Sequence, residues 1–194
     1  MMPLDYAVSN ATSGGPSFSF ANRVRRVLWN LSWFLLASWT PAPLHRWRVL
    51  LLNIAGARVH RTAHVYGSAR VWYPPYLRLD AYSCLGPQVK CYNMAPIELG
   101  VRAVVSQGAY LCAGTHDIDD PTHQLITKEI SIGEGAWVAA EAFIGPGVRI
   151  DGGAVIGARA VLFKDAESLG VYAGNPAQLV RRRRVAKESE SSRE

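Results

Sequence analysis

The stretch Leu111-Cys112-Ala113-Gly114-Thr115-His116-Asp117-Ile118-Asp119-Asp120-Pro121 sets one histidine beside three aspartates, in a segment rich in turn-forming residues. A histidine titrating near neutrality can take a proton from a hydroxyl and return it to a leaving thiolate. Such a base needs a partner on its other ring nitrogen, and Asp117, Asp119, Asp120, Glu141 or a backbone carbonyl could serve. His45, His60, His64 and His123 read instead as ordinary polar corner residues. No Ser or Cys sits in a nucleophile-elbow motif. Tyr82, Tyr92, Asn93 and Tyr110 have the chemistry to stack on or hydrogen-bond a ligand, or to pave a contact between subunits. Further along come Gly174-Asn175-Pro176, a turn signal, and Arg181 to Arg184, four guanidiniums suited to bidentate phosphate contact.

Those residues have to be held by a repeat. From Ile132 the chain reads in sixes, with Ile132, Val138, Ile144, Ile150, Ile156 and Leu162 at first positions. Fifth positions hold Ala136, Ala142, Val148, Ala154, Ala160 and Ala166. Aliphatics make up about a quarter of an average chain, so an unbroken run of six has odds of about one in a few thousand. Chance is excluded. The same phase runs backwards with interruptions through Val59, Val65 and Val71, then Leu79, Leu85 and Cys91, then Leu99, Val105 and Leu111. Fifth positions there include Ala63, Ala69, Ser83, Val89, Ala95, Ala103, Ala109 and Thr115. Residues 117–131 break the pattern as one long loop. An inward aliphatic followed four residues later by a small residue is a short strand plus a tight corner. Three such sides make one coil, so the chain predicts about five coils stacked as a triangular prism. A helix would want apolar residues at 3.6 spacing.

Composition sets the surroundings. The 194 residues suffice for one core plus appendages. No apolar run is long enough to span a membrane; the longest, from Val27 to Trp39, stops at Thr40-Pro41. The net charge of +6 is uneven: residues 1–58 carry six Arg against Asp5, the middle is slightly acidic, and 181–194 is basic again. A basic face across the folded body is missing, which argues against nucleic acid. Cys84, Cys91 and Cys112 have no CxxC spacing, which suits reduced thiols in the cytoplasm better than disulfides or zinc. Arg23, Arg25 and Arg26 before an apolar stretch resemble a secretory signal, but they start too late and no cleavage site follows. Residues 1–22, rich in Ser, Gly and Asn, are expected to be disordered. Residues 23–58 predict two helices, one ending before Pro41 and one from about Leu44 to Ile54, capping the solenoid. Their Arg and Trp content also suits a membrane surface. Residues 59–177 form the solenoid and 178–194 a basic, then polar, tail.

His64-Val65-Tyr66, Val71-Trp72-Tyr73-Pro74, Cys91-Tyr92-Asn93, Val105-Ser106-Gln107-Gly108-Ala109-Tyr110-Leu111-Cys112, His116-Asp117, Gly135-Ala136-Trp137-Val138-Ala139-Ala140 and Ala173-Gly174-Asn175-Pro176-Ala177 together resemble the hexapeptide-repeat O-acetyltransferases. They are especially similar to the colanic acid biosynthesis acetyltransferase group. The resemblance spans residues 23–184 and implies an all-β solenoid, a left-handed parallel β-helix. It implies direct transfer of acetyl from acetyl-CoA to a sugar hydroxyl of an exopolysaccharide or its lipid-linked precursor. His116 is the implied general base, with Asp117 and Asp119 in the catalytic group. Trp137, Ala142, Ala160, Gly174, Asn175, Pro176, Arg181 and Arg183 are the implied coenzyme contacts, and Tyr92, Asn93 and Tyr110 the acceptor contacts. No metal is expected. The resemblance further implies a homotrimer in the cytoplasm, peripheral at the inner membrane, in which His116 and Trp137 come from different subunits. A γ-class carbonic anhydrase of the same fold would need three metal-binding histidines that this spacing does not supply. A non-catalytic scaffold would tolerate loss of His116. Transfer of a longer acyl group, or to an amine acceptor, is the further alternative.

Overall fold

The computed structural model describes residues 18–184. Most of the segment expected to be disordered, and the end of the tail, lie outside the described residues. Two helices, α1 (Phe20–Leu36) and α2 (His45–Ile54), precede a parallel β-solenoid. Helix α1 starts earlier than position 23 because Ser19 caps it, its hydroxyl accepting from Asn22 N at 3.3 Å.

Each coil contributes one short strand to each of three sheets. The first face stacks Arg58–Val59, Leu77–Leu79, Ile97–Leu99, Ile130–Ile132 and Arg149–Ile150. The second stacks His64–Val65, Cys84–Leu85, Val104–Val105, Trp137–Val138, Val155–Ile156 and Gly170–Ala173. The third stacks Arg70–Val71, Lys90–Tyr92, Tyr110–Cys112, Phe143–Ile144 and Val161–Leu162. First-position residues from Val59 to Leu162 are all buried and form the layered core.

The corners explain the small fifth residue. In most of the regular sixes the fifth N–H bonds the second carbonyl, as in Ala136 N to Gly133 O at 3.2 Å and Ala160 N to Gly157 O at 3.1 Å. The fourth residue has positive φ: Tyr82, Gln88, Arg102, Gly108, Gly135, Glu141, Gly147, Gly153 and Arg159 lie between +57° and +83°. That is a type II turn, and Pro146-Gly147 is its preferred sequence. The fifth side chain then points into the corner, where Ala136, Ala142, Ala154 and Ala160 are fully buried.

Two registers differ from expectation. Ala166 is not a fifth position; it bridges to Ile150 and starts a sixth turn on the first face. Tyr172, 8% exposed, then closes the core, so the solenoid has about six turns rather than five. The sixth was hidden because it uses Ala and Tyr where earlier coils use aliphatics. Thr115 is exposed, because the chain leaves the coil at Ala113. Gln178–Arg182, expected in a tail, is a strand paired antiparallel with Gly170–Ala173.

The first coil has no coil beneath it, so its edge groups need other partners. The helices supply them on all three faces. Asn53 of α2 clamps Val59, accepting from its N–H at 2.8 Å and donating to its carbonyl at 2.9 Å. Val65 O accepts from Arg48 Nε at 2.6 Å and from His45 Nδ1 at 2.9 Å. Trp29 and Trp33 of α1 donate indole N–H groups to Val71 O (2.7 Å) and Gly67 O (3.0 Å). Arg48 is fully buried without a carboxylate; its remaining donors reach the carbonyls of Thr40, Pro41 and Ala42 and the Thr40 hydroxyl.

Candidate active site

Residues 114–127 replace one corner of the prism, between the third-face strand Tyr110–Cys112 and the first-face strand Ile130–Ile132. Gly114–His116 and Leu125–Thr127 pair antiparallel as a projecting hairpin, with His116 opposite Leu125. At its base Gly114 packs on Met94: a Cβ there would lie 2.5 Å from Met94 Sδ and would displace that flexible side chain.

His116 sits at the end of the first strand, exposed, with Nδ1 2.6 Å from the carbonyl oxygen of His123. A carbonyl can only accept, so Nδ1 carries the proton and the neutral ring presents its lone pair on Nε2. The carbonyl is aimed by the loop: His123 has φ +48°, and Asp117 N donates to Gln124 O at 2.9 Å. The orienting partner was therefore among the candidates, as a backbone group.

Asp117 and Asp119 do not take that role. Asp117 Oδ1 accepts from Asp119 N at 3.0 Å, a local turn that folds the loop. Asp120 accepts from Thr122 N (2.7 Å) and Thr122 Oγ1 (2.8 Å), and these bonds hold its carboxyl below the usual range. Glu141 is paired with Arg159 at 2.6 Å. Among the described residues no carboxylate bonds to His116, because the loop spends its acids on its own turns.

Trp137 is 48% exposed on the second face, its indole N–H held by Ser106 Oγ at 2.8 Å. That face lies across the prism from the hairpin corner, so one chain does not bring His116 and Trp137 together. Ala142 and Ala160 are fully buried; their carbonyls accept from Tyr110 N and Phe143 N, so their side chains cannot touch a ligand. Gly174, Asn175 and Pro176 form an exposed turn over the last coil, with Gly174 O accepting from Val161 N at 3.0 Å. Arg181 donates to the Arg182 carbonyl, Arg182 pairs with Glu167, and Arg183 donates to Gly153 O at 2.8 Å.

Asn93 is fully buried. It accepts from Tyr73 N at 3.0 Å and donates to Tyr73 O at 2.7 Å, tying the second coil to the first. It is a structural clamp and no acceptor contact. Tyr92 and Tyr110 are half-buried in an aromatic column running up the third face, Trp72–Tyr92–Tyr110–Phe143–Phe163, with ring centroids 5.4 to 6.3 Å apart. Burial, with Cys112 and Tyr92 nearby, pushes the Tyr110 phenol up to about 12. The column was missed as a unit because its members are divided between second and sixth positions of the repeat. Among the described residues no three His, Cys, Asp or Glu side chains gather as a metal site.

No family model matches the sequence. A protein of Escherichia coli K12 named as a colanic acid biosynthesis acetyltransferase, WcaF, is 36% identical over 166 residues, 86% of this chain and 91% of that protein. Among solved structures, a maltose O-acetyltransferase from Clostridium difficile 630 superposes with a TM-score of 0.77 at 19% identity, covering 92% of this chain and 94% of that one. A hexapeptide-repeat acetyltransferase from Vibrio cholerae, complexed with acetyl-CoA, gives 0.72 at 19% identity, covering 90% and 98%. These two structures share the fold. With its six-residue corners and a relative of 36% identity aligned over 91% of that protein's length, this chain belongs to the colanic acid biosynthesis acetyltransferase group of the hexapeptide-repeat acetyltransferases.

Proposed function

We propose that the protein transfers acetyl from acetyl-CoA to a sugar hydroxyl of an exopolysaccharide or its lipid-linked precursor, with His116 as general base. The observation that carries this is the 2.6 Å bond from His116 Nδ1 to the His123 carbonyl, which leaves Nε2 as a proton acceptor on an exposed hairpin. His116 Nε2 takes the acceptor's hydroxyl proton as its oxygen bonds to the thioester carbon. The carbon–sulfur bond breaks, and His116 returns the proton to the departing thiolate. Backbone N–H groups at a coil edge are the donors available to a developing oxyanion.

Support for the coenzyme comes from the exposed indole of Trp137, the exposed Gly174–Pro176 turn, and Arg181, which has no carboxylate partner among the described residues. Arg183 can add a contact only by leaving Gly153 O. Tyr92 and Tyr110 remain the acceptor candidates. Because Trp137 and the hairpin lie on opposite sides of the prism, a complete site needs two chains, which the proposed homotrimer provides. A lipid-linked acceptor puts the protein in the cytoplasm at the inner face of the plasma membrane.

The test is coenzyme A release from acetyl-CoA against fucosyl, galactosyl and glucosyl acceptors. His116→Ala should lower kcat/KM by about 10²–10⁴, with unchanged thermal stability because the side chain is exposed. Wild-type turnover in that variant would remove His116 as the base. Absence of coenzyme binding in the wild type would favour a non-catalytic scaffold.

A further inference from the structure

Both N-terminal helices are apolar on the side turned away from the solenoid. The inner side of α1 buries Trp29 and Trp33, while Phe20, Val24, Val27, Leu31, Phe34 and Leu35 are exposed. Their spacing of three and four makes a single stripe, about 22 Å long at 1.5 Å per residue. Helix α2 repeats the arrangement: Val49 and Leu52 face the core, and Trp47, Leu50 and Ile54 face outward, the last 74% exposed. A mostly apolar groove of about 380 Å³ opens between the two helices, lined in part by Leu28, Leu36, Leu51 and Ile54. A surface helix in water carries polar residues where these stripes lie.

Charge decides what covers them. Between Asp5 and Asp80 the sequence has no acidic residue, while residues 18–79 contain nine arginines. Arg23, Arg25, Arg46, Arg58 and Arg61 are exposed. On α1, Arg23 borders the stripe, and Arg25 lies further round the helix, its Nη1 donating to the Tyr73 hydroxyl at 2.9 Å. Two copies meeting pole to pole would set arginines against arginines with no carboxylate between them, so a two-fold contact through this pole is disfavoured. Trp39, 73% exposed where the helices join, has its indole N–H satisfied by Leu35 O at 2.7 Å, leaving an apolar ring to present.

We infer that this pole docks on an anionic phospholipid bilayer. Helices α1 and α2 lie in the plane of the interface, their stripes among the acyl chains and the flanking arginines among the headgroup phosphates. The inference deepens the membrane-peripheral part of the proposed function and is independent of the transfer chemistry.

Co-flotation of the full chain with vesicles tests it. The wild type should float with phosphatidylglycerol-containing vesicles at low salt, and far less with pure phosphatidylcholine or at high salt. Tryptophan emission should shift to the blue on binding. Arg23→Gln should weaken partitioning about fivefold, and Leu31→Glu by about tenfold or more. Both side chains are exposed, so wild-type melting temperatures are expected and are checked in parallel. Phe163→Ser, exposed on the third face, should float like the wild type. A wild type that stays in the dense fraction, or a folded Leu31→Glu that floats unchanged, overturns the inference. So does a Leu31→Glu that lowers the oligomer mass while the wild type fails to float, since a second copy then covers the stripe. Flotation is read without substrate, so loss of binding and loss of coenzyme release are separate results.

Discussion

Replacing Asn93 with Ala separates a structural clamp from a substrate contact. The side chain is fully buried and bonds both the N–H (3.0 Å) and the carbonyl (2.7 Å) of Tyr73, a residue itself 7% exposed. Truncation leaves two buried backbone groups unpaired. At about 1–3 kcal/mol for each, the loss is about 2–5 kcal/mol, allowing for partial relaxation. For a chain of this size that is a fall of about 5–15 °C in Tm. Asn93→Asp should be no better: it keeps an acceptor for the Tyr73 N–H but turns a carboxylate oxygen towards the Tyr73 carbonyl. The assay pairs thermal unfolding by circular dichroism with kcat/KM for the acceptor, measured well below the transition. A clamp predicts a large fall in Tm with kcat/KM of the folded protein within about twofold. A raised acceptor KM with Tm shifted by less than about 2 °C would refute the reasoning and return Asn93 to the acceptor site.

Trp137→Ala should raise KM for acetyl-CoA about three- to tenfold, the range of one aromatic contact. Ser106→Ala, which frees the indole held at 2.8 Å, should raise it less; steady-state kinetics with the acceptor saturating distinguishes the two. Tyr110, with its phenol pushed up to about 12, stabilises the fold in its neutral form. That contribution is fully present below the ordinary tyrosine value of about 10 and is lost as pH rises through about 12. Tyr110→Phe should therefore flatten the alkaline limb of stability against pH, measured by denaturant midpoints between about pH 9 and 11.

The solenoid was legible because every layer makes the same demand. Ile132, Val138 and Ile144 each fill the same inward place, and Ala136, Ala142 and Ala154 each close the same corner. Repetition turns a weak single-residue preference into a pattern that one sequence can display. Where a layer is built differently, the pattern fails: Ala166 and Tyr172 complete a sixth turn with residues that no periodicity singles out. His116 stood out as a candidate for another reason, since it stands where the repeat breaks into its long loop.

The partners of these residues were not legible. Asp117 and Asp119 are His116's neighbours in sequence, yet a backbone carbonyl seven residues away orients its ring. Every residue has a carbonyl, so only the path of the loop, with His123 at positive φ, selects one. Asn93 and Tyr92 are adjacent and both polar; the turn of the chain after the strand sends one inward to Tyr73 and leaves the other in the aromatic column. Arg48 is one of nine arginines in an acid-free stretch, and nothing in its type marks it as the buried cap of the first coil. The sequence by itself determined the repeat, its inward residues and the histidine at its interruption, because these depend on side-chain type and spacing along the chain. The tertiary structure alone decided which groups meet across coils, because hydrogen-bond partners about twenty residues apart are chosen by coil register and loop path.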